Sequence, residues 1–190
     1  DVAAVKAEQP DVLIIAAGSD PIMPRFPGVE KNNVLWVGDV HLNRAVSGDK
    51  VVIVGGGLTG CEAALHLAQE GKSVVIIDML EEEELDTSEP LILRRGTGLL
   101  DMLDERGVRF MTGVKLEEIT AKGILVMDKN WKRFEIAADA VVLSLGFKPR
   151  DAVVASLQEL APDVYRIGDC RRPERIKEAI HDGFNVAVEI

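Results

Sequence analysis

A chain of 190 residues with 47% apolar and 28% charged residues has an ordinary globular composition, enough for one ample core or two small ones. A formal net charge of −10 argues against nucleic acid or an acidic membrane as partner, since both need basic patches. No apolar run reaches the roughly eighteen residues of a membrane span and no signal-peptide pattern is present. With two cysteines in unrelated contexts, a reducing cytoplasm is the expected compartment.

In chain order, residues 2–8 read as the end of a helix. Residues 11–19 read as a buried strand that closes on a glycine turn at Gly18. Residues 20–27 hold Pro21, Pro24 and Pro27 and read as an extended connection without regular structure. A β-branched run, Val51-Val52-Ile53-Val54, then feeds directly into Gly55-Gly56-Gly57-Leu58-Thr59-Gly60, a G-x-G-x-x-G motif. Ala63, Ala64, Leu65, Leu67 and Ala68 continue at helical spacing up to Gly71. A second apolar run, Val74-Val75-Ile76-Ile77, ends at Asp78, eighteen residues after Gly60. Strand, glycine turn, helix, strand and acid in this order make a dinucleotide-binding unit.

Each part has a physical task. Gly55 makes the tight turn, Gly57 lets backbone approach a pyrophosphate, and Gly60 lets helix and strand pack closely. The helix beginning at Leu58 and Thr59 aims unpaired N–H groups and its positive dipole end at the phosphates. Asp78 accepts hydrogen bonds from ribose hydroxyls and repels a 2′-phosphate, and residues 79–84 contain no Arg or Lys, so NAD(H) is favoured over NADP(H). FAD satisfies the same fingerprint. The acidic run of residues 81–84 reads as a solvated loop.

After that run, Leu99, Leu100, Met102 and Leu103 mark the apolar face of a helix with Gly107 just past its end. Residues 108–111 follow as the third parallel strand. Residues 114–120, 123–127 and 131–136 are short strands separated by turn signals such as Asp128-Lys129-Asn130, an antiparallel meander over the parallel sheet. The run Ala140-Val141-Val142-Leu143-Ser144-Leu145, apolar but for Ser144, returns to that sheet and ends at Gly146. Residues 163–169 form a strand ending in Gly168-Asp169, and a helix runs from Pro173 or Glu174 to the C-terminus. Trp36 and Trp131 read as packing residues, and Cys61 as a small buried apolar residue. His41, His66 and His181 have no partners spaced for a metal site or a triad, and no zinc or iron–sulfur cysteine spacing occurs.

The arrangement resembles the two-dinucleotide (FAD/NAD) flavoproteins, the pyridine nucleotide-disulfide oxidoreductases and their relatives. Ala16-Ala17-Gly18-Ser19 with Pro21 is similar to that family's A-T-G-S-x-P turn between FAD and NAD domains, with Ala17 in place of Thr. The fingerprint at residues 55–60 comes second, and Ile167-Gly168-Asp169 is similar to the late G-D motif whose acid contacts the flavin's ribityl chain. Residues 56–62, Gly168-Asp169-Cys170 and Arg175-Ile176-Lys177-Glu178-Ala179-Ile180 look like the C-terminal part of 2,4-dienoyl-CoA and 2-enoate reductases. No redox-active cysteine pair is present, which removes the disulfide-reductase branch.

The resemblance implies an α/β fold: a Rossmann-like parallel sheet with an antiparallel β-meander, a three-layer NAD-binding domain at 49–147. Partial FAD-domain segments at 1–48 (with a linker) and 148–190 flank it. It also implies a fragment of a flavin-dependent oxidoreductase that binds NADH and delivers hydride to FAD. In those reductases an FMN barrel and an iron–sulfur cluster precede these domains, and missing N-terminal domains are the expected partner. With one glycine fingerprint in the sequence, the fragment alone is expected to carry no FAD and to turn over no substrate. The strands ending at Gly18 and Asp169 remain able to pair as a partial sheet.

Among single residues, the resemblance places Glu62 near the nicotinamide carboxamide; a carboxylate favouring a helix N-terminus is an equal reading. Gly146 and Pro149 resemble a turn facing the nicotinamide, or else make a chain-crossover turn. Asp169 is a flavin contact or a strand-end cap. Two other functions share the motifs: a non-catalytic nucleotide-binding sensor or interaction module, and an NADH:acceptor reductase lacking the FMN barrel.

Overall fold

The computed structural model describes residues 1–81 and 98–190. The acidic run from residue 82 onward therefore lies outside the described residues. The chain forms two compact units, residues 23–145 and residues 1–22 with 146–190.

The larger unit is built on a parallel sheet of β3 (Val34–Trp36), β4 (Lys50–Val54), β5 (Ser73–Ile77), β6 (Arg109–Met111) and β10 (Ala140–Leu143), in the order β3-β10-β4-β5-β6. Alternate residues explain the unbroken apolar runs, because both faces are covered. Val51, Ile53, Val74, Ile76, Ala140 and Val142 share a core with α2 (Val37–His41), α3 (Leu58–Gln69) and α4 (Leu99–Glu105). Val52, Val54, Val75, Ile77, Val141 and Leu143 instead pack with β7 (Val114–Ile119), β8 (Gly123–Asp128) and β9 (Arg133–Ala137), an antiparallel meander. Helices, parallel sheet and meander are the three layers. Leu67 of α3, 1% exposed, exemplifies the burial that holds the helix layer, about 1.5–3 kcal/mol for such a side chain.

Residues 23–48, expected to precede the nucleotide domain as segment and linker, pack in this unit. Val34, Leu35 and Trp36 pair with β10, and Val37 and Val40 enter the core at 2% exposure. In α4 the buried pair is Leu99 and Leu103, while Met102, expected on the apolar face, is 39% exposed. The i, i+4 pair spans the contact with the core, and Met102 falls outside that stripe.

At the far end of β4, Asp139 accepts hydrogen bonds from the N–H groups of Asp49 (2.9 Å) and Lys50 (2.8 Å). These bonds, Lys50's first, hold its carboxyl below the ordinary aspartate value against the effect of desolvation.

In the smaller unit β1 (Val12–Ile15) and β12 (Asp163–Arg166) pair in parallel, Val12 opposite Asp163 and Ile15 opposite Arg166. The expected connection at residues 20–27 begins as a strand, since β2 (Ser19–Pro21) pairs antiparallel with β11 (Phe147–Pro149). Proline is tolerated there because each strand has one neighbour. Helices α1 (Val2–Glu8), α5 (Asp151–Leu157) and α6 (Ile176–Glu189) complete the unit, around a small core of Ile15, Val154 and Cys170. Along α6, Ile176, Ile180, Phe184 and Val188 repeat every four residues at 80%, 63%, 68% and 70% exposure. Among the described residues no helix is long and apolar enough to cross a membrane.

Candidate dinucleotide site

The site of the larger unit lies where β4 meets α3. Gly55 turns the chain at φ 109, and a Cβ there would sit 2.0 Å from the carbonyl oxygen of Ser144. Only glycine meets both demands, positive φ and backbone contact. Gly60 lies in the first turn of α3, and a Cβ on it would come within 2.1 Å of the Gly55 carbonyl oxygen, so helix and loop are in direct backbone contact. A Cβ at Gly56 would strike the Phe110 ring at 2.4 Å. Gly57, Leu58 and Thr59 are half-buried at the mouth of the turn, and no side chain caps α3 at Gly57. Cys61 is buried as expected, its Sγ 3.4 Å from the Gly56 carbonyl oxygen.

Asp78, at the end of β5, closes the other side. Its Oδ2 accepts from the Gly56 N–H at 2.7 Å and its Oδ1 from the Leu80 N–H at 2.9 Å. The acid and the glycine turn, far apart in sequence, thus share a hydrogen bond. A carboxylate has about four acceptor positions, so two backbone donors leave capacity for hydroxyls. A helix start with glycine at its cap position, a loop that excludes side chains and a carboxylate beside it fit a dinucleotide.

Glu62 stands elsewhere, on the exposed flank of α3. It lines a cleft of about 320 Å³ with His41, Asn43 and His66. Farther along that flank, His66 Nε2 lies 3.5 Å from Glu70 Oε1. Among the described residues no cluster of His, Cys, Asp and Glu is arranged to hold a metal ion.

Three features of the site escape sequence reading. Ser144 supplies the backbone against which Gly55 turns, and its one signal is a polar residue closing an apolar strand at the sheet's carboxyl edge. Phe110 roofs Gly56 from β6. Lys115 and Lys129 line a cavity with Met79 and Glu81, where the local sequence offers no cation. Lys129 Nζ is paired with Glu81 Oε1 at 3.2 Å.

In the smaller unit the two motifs expected on the flavin side meet. Ser19 Oγ donates to Asp169 Oδ2 at 3.0 Å, next to Gly18 at φ 75. The Gly168 N–H donates to Asp182 Oδ2 of α6 at 3.0 Å. Gly146, at φ 83, accepts from the Ile22 N–H through its carbonyl at 3.0 Å.

A parallel α/β sheet with this turn, helix start and acid defines the class: a dinucleotide-binding fold. Residues 3–183 match the pyridine nucleotide-disulphide oxidoreductase family, and the chain belongs to it. It is 36% identical to an NADH oxidase of Thermoanaerobacter brockii over 100% of the chain and 29% of that protein. It is 31% identical to a cinnamate reductase of Clostridium sporogenes over 95% of the chain and 26% of that protein. A solved 2-naphthoyl-CoA reductase superposes with a TM-score of 0.87 at 31% identity, covering 100% of the chain and 28% of that structure. The chain therefore spans under a third of the length of these relatives.

Proposed function

We propose that the chain supplies the NADH-binding part of a flavin-dependent reductase acting on conjugated double bonds, of the enoate or dienoyl-CoA type. The observation that carries the nucleotide reading is the Asp78 carboxylate held 2.7 Å from the Gly56 N–H, beside the start of α3. The loop N–H groups and the helix start bind the pyrophosphate, Asp78 holds the ribose, and Glu62 orients the nicotinamide from the flank of α3. Gly146 flanks the nicotinamide side. Gly18 and Asp169, with Ser19 hydrogen-bonded to it, belong to the flavin side. In this reading residues 49–147 are the nucleotide domain with residues 23–48 packed into it, and residues 1–22 and 148–190 belong to the flavin domain. The bound nicotinamide supplies a hydride and the flavin accepts it. The substrate class is supported by relatives named for cinnamate and 2-naphthoyl-CoA, both conjugated acids or thioesters. An FMN and a 4Fe-4S cluster elsewhere in the longer protein belong to the same reading.

The chain is expected to bind NADH more tightly than NADPH by calorimetry. Asp78→Ala narrows the gap, because repulsion of the 2′-phosphate is relieved. NADPH binding equal to or tighter than NADH sinks the preference. For the longer protein, NADH consumption driven by 2-enoates supports the substrate class, and consumption with dioxygen alone removes it.

A further inference from the structure

The turn between β8 and β9 holds a tryptophan in a conformation that bulky residues avoid. Trp131 has φ 63. Asp128 locks it there: its Oδ1 accepts from Asn130 N–H at 2.9 Å and Lys132 N–H at 3.0 Å, and its carbonyl oxygen accepts from Trp131 N–H at 3.0 Å. A left-handed backbone costs a bulky residue free energy that glycine escapes. The indole does not recover that cost by burial, since Trp131 is 80% exposed instead of packed as the sequence suggests. An exposed aromatic held under strain points to a contact not made among the described residues.

Its surroundings identify the contact. Trp131 lines a cavity of about 230 Å³ with Met79, Glu81, Gly113, Met127 and Lys129. Met79 directly follows Asp78 and is 66% exposed. A ribose held at Asp78 carries its base on the adjoining carbon, so the base falls within a residue's reach of that acid, where this cavity opens. Indole and thioether surfaces bind a purine face and ask for no particular hydrogen-bond pattern.

We propose that Trp131, with Met79, forms the stacking wall for the adenine of the bound dinucleotide, and that this contact is why the turn carries tryptophan at a glycine-like position. The proposal rests on the nucleotide reading above. It makes Trp131 a binding residue contributed by the meander, the layer with no part in the glycine fingerprint.

The test uses the whole chain and two variants, Trp131→Gly and Trp131→Phe, with NADH and AMP as ligands. Glycine suits the left-handed turn, so Trp131→Gly keeps or raises the unfolding midpoint. Its affinity for NADH and for AMP falls about fivefold or more, by the same factor for both, while Trp131→Phe retains most of it. AMP also quenches tryptophan fluorescence in the native chain and not in Trp131→Gly. Unchanged affinities in Trp131→Gly, or a loss for NADH without one for AMP, overturn the stacking role while the nucleotide reading stands. A native chain that binds neither ligand overturns both.

Discussion

Asp139 and Asp78 are both carboxylates that accept two backbone N–H groups, yet they serve opposite ends of the sheet. Asp139 ties down the first residues of β4 through the N–H groups of Asp49 and Lys50, and its carboxyl titrates below the ordinary range. A carboxyl whose folded-state pKa is depressed adds stability that is complete above the unfolded pKa, about 3.9, and is lost as pH falls through the folded value. The difference in melting temperature between the native chain and Asp139→Asn is therefore expected to be full at neutral pH and to shrink below about pH 4. A difference independent of pH refutes the assignment. Asp78 was legible as a ribose-binding candidate because an acid at the end of the second strand is a local signal. Its bond to Gly56 was not, since that depends on how β5 lies beside β4.

The same contrast governs whole elements. Strands β4, β5 and β10 and helix α3 are readable because continuous apolar runs and helical spacing reflect burial on two faces or one. Elements β2, β3, α2 and α5 are not, because three to seven residues carry too few periods to stand out. The turn joining β4 to α3 is sensitive to substitution. Gly55→Ala places a methyl against the Ser144 carbonyl at positive φ. The cost is expected to exceed the ~1 kcal/mol of an ordinary Gly→Ala strain, and the change should abolish NADH binding even where the variant folds. Denaturant unfolding and an NADH titration measure the two; a stable variant with native affinity shows that the loop can relax.

For the whole molecule, the two units differ in what they bury. The larger has cores on both faces of its sheet, whereas the smaller surrounds Ile15, Val154 and Cys170 and leaves the α6 stripe in solvent. Such a stripe binds hydrophobic dyes. Ile180→Ser with Phe184→Ser is expected to lower dye fluorescence severalfold while leaving NADH affinity unchanged, and an unaltered dye signal places the exposed surface elsewhere. The smaller unit joins Ser19 to Asp169, but the sequence has no second glycine fingerprint for FAD phosphates. The purified chain is therefore expected to lose flavin absorption on desalting after incubation with excess FAD; retention at one equivalent refutes this. The sequence by itself determined the three-layer α/β fold and the family, because burial periodicity and the glycine turn are written in neighbouring residues. It allowed the pairing of the strands that end at Gly18 and Asp169, which the structure shows. Only the tertiary structure decided the placement of residues 23–48, the Ser144 backbone under Gly55, the Asp78–Gly56 bond and the Trp131 cavity. Those contacts join segments distant in the chain, and their geometry is set by sheet order and register, which no local pattern encodes.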